Sequence, residues 1–425
     1  MLAHRVRAWL RSSPQPRFRK ILFALYVATA ALDAGGKAIA ANPDVNRALR
    51  HRVGASSVGV VRRAGHPSGN FEIFRTASRH LLTGQDLYAE YPDEHSDRFK
   101  YSPTFALLFE PLAWIPSPIA LFFWSLANAL VLFGAVERAL PGRRGLLALL
   151  CLLLEVLRGM QNAQSNALVA GLIILTFVTL ERASAWRAAA AVMLGACVKI
   201  FPLAALTLAL PRRSALRTGV RAAAVGVGLA VLPLLVTPPA TLLAQYHSWL
   251  GVEASDSRQR WFSVMQLLYN WTGIALPNWP IQLAGTLALL APLALRRDRW
   301  DDVQFRFLYL CSVLLYVVLF NHQAERASYL IAFVGATLWY ASSEKERWQT
   351  WLYATAFVTT PLMSTLIPGE FFRTPLAVLY RLAVPALTIW IFIQVELLRG
   401  SRASARRGSA GHARGEVDAD VALQR

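Results

Sequence analysis

The stretch AAAAVMLGACVKIFPLAALTLALPRR, Ala188 to Arg213, decides the fold. Basic residues flank it on both sides: Arg182 and Arg187 precede its apolar run, and Arg212, Arg213, Arg217 and Arg221 follow it. Cationic loops stay on the cytoplasmic side of a membrane, so both ends belong inside. One crossing strands the four later arginines outside. Two crossings leave each only about half of the ~20 residues that a helix needs to span hydrocarbon. A broken hairpin with Lys199-Ile200-Phe201-Pro202 at its outer apex reconciles the two. Proline ends a helix there, and irregular backbone at membrane depth is tolerated where it lines a cavity. A cavity is therefore expected at Lys199.

The rest of the chain agrees. Of its 425 residues, 55% are hydrophobic and only 16% are charged, too apolar a balance for a soluble domain of this length. Apolar runs able to cross a core of about 30 Å recur from end to end. They are too long and alternate too little for barrel strands. The expected fold is all-α and polytopic, with about a dozen transmembrane or re-entrant helices. The net charge of +19 sits in short segments between apolar runs, as membrane topology requires, and no nucleic-acid partner is implied. Cys151, Cys197 and Cys311 lie in apolar stretches and read as small buried hydrophobes.

Residues 1–20, rich in arginine, are expected to form a cytoplasmic leader. Residues 21–400 form the membrane domain, and the polar tail 401–425 reads as cytoplasmic and disordered. Ala38-Ile39-Ala40 offers a signal-peptidase pattern, but the run from Ile21 to Ala41 is read as an uncleaved anchor because many spans follow. With that span running outward, residues 42–101 are the first extracytoplasmic loop and both termini lie inside. Outer segments then fall at 158–166, 237–262, 321–326 and around Glu370 and Arg373. The inner loops are short and merely basic, so any chemistry is expected outside.

In the first loop, GNFEIFRTASRHLLTG (Gly69 to Gly84) places Phe71, Phe74, Ser78 and Leu81 at helical spacing, with Glu72, Arg75 and Arg79 on another side. This predicts an amphipathic surface helix with Asn70 as N-cap and Gly84 as C-terminal cap. A charged turn, Asp93-Glu94-His95-Ser96-Asp97, leads to Lys100-Tyr101-Ser102-Pro103 and a proline-bent return into apolar sequence. Such a loop suits an enzyme that meets a lipid head group at the interface.

Three stretches carry a resemblance: Gly84-Gln85-Asp86-Leu87-Tyr88 with Lys100-Tyr101-Ser102-Pro103; the run from Gly159 to Asn166, GMQNAQSN; and the span ending in Val198-Lys199-Ile200-Phe201-Pro202. Together they resemble glycosyltransferase family 87, polyprenyl-phosphate-sugar-dependent enzymes that include bacterial α-mannosyltransferases. The resemblance runs over roughly residues 20–330. It implies a GT-C helical bundle, a first outer loop carrying an acidic residue, and a lipid-linked sugar donor. Where the family pattern often has Asp at the start of the surface helix, this sequence has Asn70. An amide cannot accept a proton, so a transferase of this sequence needs its base elsewhere.

An inverting transfer needs one group to take the acceptor's proton and cations to meet the departing lipid phosphate. Glu94 and His95, at the re-entry turn, and Glu72, on the surface helix, are the candidate bases. Each also reads simply as a solvated surface charge. Lys199 is the leading phosphate ligand, because a lysine inside an apolar hairpin is costly to place; snorkelling to the interface is the alternative. Lys100, Tyr101, Asn70, Arg158, Gln161 and Asn162 complete the expected binding set on the early loops, with Glu155 one turn before Arg158 as a possible ion-pair partner. His322 and Arg326, in the segment Asn321 to Arg326, are read as the polar rim of a cavity. The aromatic segments Tyr246 to Trp249 and Arg258 to Trp261 read either as sugar-stacking surfaces or as interfacial belt.

No Walker loop, zinc spacing, DXD-type pair or nucleophile elbow is found. One lipid phosphate can be neutralised by Lys and Arg, so no metal or cofactor is called for. The expectation is a membrane hexosyltransferase, with mannose as one possible sugar, acting on a lipid or glycan acceptor at the outer face of a bacterial-type cytoplasmic membrane. Membrane lipid is its surroundings. Two alternatives stay open: a catalytically silent binder of lipid-linked sugar, and a lipid or polysaccharide transporter.

Overall fold

A computed structural model describes residues 16–42, 69–95, 97–365 and 374–399. The first fifteen residues of the basic leader, part of the first outer loop (43–68), Ser96, the segment containing Glu370 and Arg373, and the tail from 400 onward lie outside the described residues. The described residues fold as helices joined by short turns, with no strand among them.

Helix α1 is Pro16–Ala41, α2 Gly69–Thr83, α3 Pro103–Ala113, α4 Ser117–Ala139, α5 Arg143–Gln161, α6 Asn166–Glu181 and α7 Ala185–Val198. Helix α8 (Ala215–Val231) continues into a 3₁₀ turn, and α9 is Pro239–Asp256, α10 Val264–Thr272, α11 Asn278–Leu295 and α12 Val303–Leu319. Then come α13 (Tyr329–Ser342), α14 (Arg347–Phe357) and α15 (Pro375–Leu398). Among the described residues, five segments are long and apolar enough to cross a membrane: α1, α4, α8 with its 3₁₀ extension, α11 and α15.

Position in the bundle follows from where each helix is apolar. On α1, Leu22, Tyr26, Ala30 and Ala34 recur every fourth residue and are buried, while Leu32 and Ile39 on other faces are exposed. That is the pattern of a peripheral span with one face toward protein. Tyr26 satisfies its hydroxyl by donating to Leu149 O at 2.7 Å. Helices α6, α12 and α13 are apolar nearly all round and buried nearly all round. At about 1.5 Å per residue they are shorter than a free-standing span, and they form the interior. Gly335 lets α12 and α13 touch: a Cβ there would lie 2.9 Å from Cys311 O.

The described part of the segment between α1 and α3 folds onto the bundle. Phe74 of α2 makes edge contacts with Tyr101, Phe105, Phe109 and Trp124 at 4.9–5.7 Å. The apolar side of this amphipathic helix is therefore covered by α3 and α4. Gly84 ends it with φ +73°, and Gln85 N donates to His80 O at 2.9 Å in a Schellman closure. Asn70 lies within the first turn rather than ahead of it, so the N-cap expectation is corrected.

Candidate active site

The hairpin breaks where proline and lysine meet. Helix α7 stops at Val198, Lys199 has extended backbone (φ −149°, ψ 141°), and a 3₁₀ helix, Phe201–Ala209, starts with Pro202 in its first turn. Pro202 closes on Gly195, where a Cβ would lie 3.1 Å from the proline ring. The end of the first loop is pinned to this break. Ser102 Oγ donates to Cys197 O at 2.7 Å and accepts from Phe105 N at 3.1 Å. One hydroxyl thus caps α3 and ties it to the residue two before Lys199.

That tie brings Lys100 and Tyr101 to Lys199 on the wall of a cavity of about 450 Å³. Other walls come from the 3₁₀ segment, from Glu253 on α9 with the following Gln259 and Trp261, from Gln282 on α11, and from the end of α12 through Ser328. The wall residues Asn321, His322, Gln323 and Glu325 are the polar stretch read from sequence as a rim.

Its electrostatics are uneven. Lys199 Nζ bonds to Asn166 Oδ1 at 3.0 Å, an amide oxygen, and the carboxylate whose charge reaches it is Glu325. Lys100 Nζ is salt-bridged to Asp256 at 2.9 Å. Burial pulls the Lys100 pKa down, but the bond and charge of Asp256 together with the charges of Asp97 and Glu325 outweigh it, and the net shift is upward. His322 is set by Gln282, whose Nε2 lies 3.2 Å from both Phe320 O and His322 Nδ1. A carbonyl only accepts, which fixes the amide nitrogen toward both and makes Nδ1 an acceptor. Burial holds the imidazole below its usual pKa, so the neutral ring carries its proton on Nε2, which has no partner among the described residues. His322 presents a donor. Trp261 stands on the wall, half exposed, with φ +31°, a backbone cost that marks a constrained position.

Several expected site residues sit elsewhere. Asn70 Nδ2 donates to Asn162 O at 2.9 Å, and Asn162 Nδ2 to Arg158 O at 3.0 Å. Arg158 pairs with Glu155 at 3.1 Å. Glu72 faces Arg75 at 3.7 Å, and Glu94 faces His80 at 3.3 Å. His95 is held through its backbone N to Tyr91 O at 3.0 Å. Arg326 reaches Ser364 O at 3.4 Å. None of these seven expected residues lines the cavity. Gln161 lines a second, more open cleft of about 400 Å³ beside Asp33 and Lys37, an ion pair at 2.8 Å on α1. Of the aromatic segments, Trp249 donates to Lys100 O at 3.3 Å and Tyr246 to Ala230 O at 2.8 Å, which makes them braces.

Sequence reading missed Glu253 and Asp256. Their signal was available: two carboxylates at i, i+3 on one helix face inside an otherwise apolar helix.

Residues 99–321, slightly more than half of the chain, match the family model described as Glycosyltransferase family 87. The match begins one residue before Lys100 and ends one before His322, and so spans most of the cavity wall. No curated protein matches the chain.

Proposed function

Since the chain belongs to glycosyltransferase family 87 and is built as a helical membrane protein, we propose that this membrane glycosyltransferase moves a hexose from a polyprenyl-phosphate donor to a lipid or glycan acceptor. Mannose is the first sugar to test. The cavity at Lys199 holds the donor head group and opens to the extracytoplasmic side, with both termini cytoplasmic.

The observation that supports this most is Lys199 itself: a half-buried ammonium on a cavity wall, hydrogen-bonded to an amide. The donor is a phosphodiester with one negative charge, and the product phosphate monoester carries close to two. A fixed cation at the departing oxygen stabilises the charge that develops between them. His322 Nε2–H and the amides of Gln259, Asn321 and Gln323 suit sugar hydroxyls, and Trp261 offers a face for a pyranose ring.

Asn70 favours a second reading, a relative that binds donor without transferring it, because the amide is committed to Asn162 and cannot take a proton. The test is reconstitution of the purified chain in liposomes with radiolabelled polyprenyl-phosphate hexoses and membrane-extract acceptors. Labelled product with release of polyprenyl phosphate is expected. Donor binding without product supports the silent relative, and neither binding nor product returns the chain to the transporter alternative.

A further inference from the structure

We infer that Glu253 is the general base of the transfer, taking the proton of the acceptor hydroxyl inside the cavity at Lys199. The inference rests on the transferase reading above and deepens it.

The reaction sets the requirement. The acceptor oxygen bonds to the anomeric carbon as the bond from that carbon to the phosphate oxygen breaks. The electron pair leaves on the phosphate, and the acceptor's proton must go to a group on the opposite side of the sugar. Five described side chains on the wall carry the relevant charge or imidazole chemistry: Lys100, Lys199, Glu253, His322 and Glu325. The two lysines are cations. His322 has its Nδ1 occupied by Gln282 and offers a donor. That leaves the two carboxylates.

They differ in place. Glu325 is exposed, and it is the carboxylate whose charge supports the Lys199 ammonium. Glu253 is half-buried near the end of α9, and its Oε2 accepts from Gln323 Nε2 at 3.2 Å. Its other neighbours are Asp256, Lys100 and Trp249. The salt bridge of Lys100 to Asp256 compensates the second carboxylate and keeps Lys100 from neutralising Glu253. A held, half-desolvated carboxylate on the wall of the cavity that also presents Lys199 is placed to act as a base. Burial, with a smaller push from Asp256, lifts its carboxyl above the ordinary range against the opposing pull of Gln323, Lys100 and Trp249. A raised pKa makes the ionised form a stronger proton acceptor near neutrality.

The sign of the pH effect follows. Transfer requires the ionised carboxylate, so kcat/KM should rise with pH through the elevated Glu253 pKa and level off above it. Lys100, Asp256, Glu325 and His322 face the same space and will shape that limb.

The experiment compares wild type, Glu253→Gln, Glu253→Asp and Glu325→Gln in the reconstituted assay, with donor affinity measured separately by displacement of labelled polyprenyl-phosphate hexose. Glu253→Gln is expected to lower kcat by about 10²- to 10⁴-fold, to keep the donor Kd within about threefold, and to abolish the rising limb. Glu253→Asp should recover part of the rate, and Glu325→Gln should keep the limb. An active wild type whose Glu253→Gln variant stays within tenfold, or keeps the limb, overturns the assignment and leaves the transferase reading standing. A wild type that transfers no hexose removes the transferase reading and the base with it. Donor binding by Glu253→Gln at wild-type affinity shows that the variant is folded.

Discussion

Replacing Lys199 by methionine removes one charge and little volume, and the cost can be worked from the site. In the proposed reaction the donor phosphate gains about one unit of charge during transfer. With Nζ about 4 Å from the phosphorus and an effective dielectric of about 20, that unit interacts with the ammonium by about 4 kcal/mol. If between half and all of the charge has developed at the transition state, the loss is about 2–4 kcal/mol, or about 30- to 1000-fold in kcat. Stability should move the other way or not at all. A half-buried ammonium is expensive to desolvate, which offsets the loss of its place over the Phe201 ring, 5.9 Å from the centroid. Single-turnover transfer in liposomes, with thermal unfolding of the same preparation, reads both quantities. A Lys199→Met protein with kcat within threefold of wild type would refute the role given to this lysine, and so would a loss of activity that merely tracks a fall in Tm.

Further outcomes follow from the packing. Gly285→Ala puts a methyl group into the ring of Phe320, which stacks on Tyr316 at 5.3 Å and walls the cavity; donor Kd should weaken at least tenfold by equilibrium binding, with Lys199 untouched. Glu72→Ala, Glu94→Ala and His95→Ala should each leave kcat within about threefold, because none of the three lines the cavity; a larger loss in any of them would restore it as a catalytic candidate. Gly335→Ala should destabilise by about 1–3 kcal/mol through overpacking, since its Cβ meets a backbone oxygen and the Leu314 Cβ at 2.9 Å; chemical denaturation in detergent measures it, and an unchanged midpoint would contradict the close α12–α13 packing.

Local chemistry was legible from the residues and distant pairing was not. The break at Lys199 follows from charge bookkeeping over a run too short for two spans. The close of α2 at Gly84 follows from glycine's access to positive φ. The polar stretch from Asn321 to Glu325 stood out against the apolar runs beside it. The partner of Lys100, by contrast, is 156 positions away in Asp256. Residues 237–262 read as a loop, whereas most of that stretch is α9, and a helix is what turns Glu253 and Asp256 to one face. Asp33 and Lys37, an i, i+4 pair within α1, were visible, but the run around them was counted only for its length. Sequence periodicity gives faces and ends; which faces meet depends on packing between segments far apart in the chain.

In the proposed function the cavity at Lys199 receives the polyprenyl-phosphate head group. The most direct test is photo-crosslinking with a short polyprenyl phosphate bearing a diazirine next to the phosphate, followed by peptide mapping. Adducts are expected within residues 199–204 and 316–328, lost on competition with unlabelled polyprenyl phosphate and in Lys199→Met. Competable adducts confined to the cleft of Asp33, Lys37 and Gln161, unchanged by Lys199→Met, would contradict it.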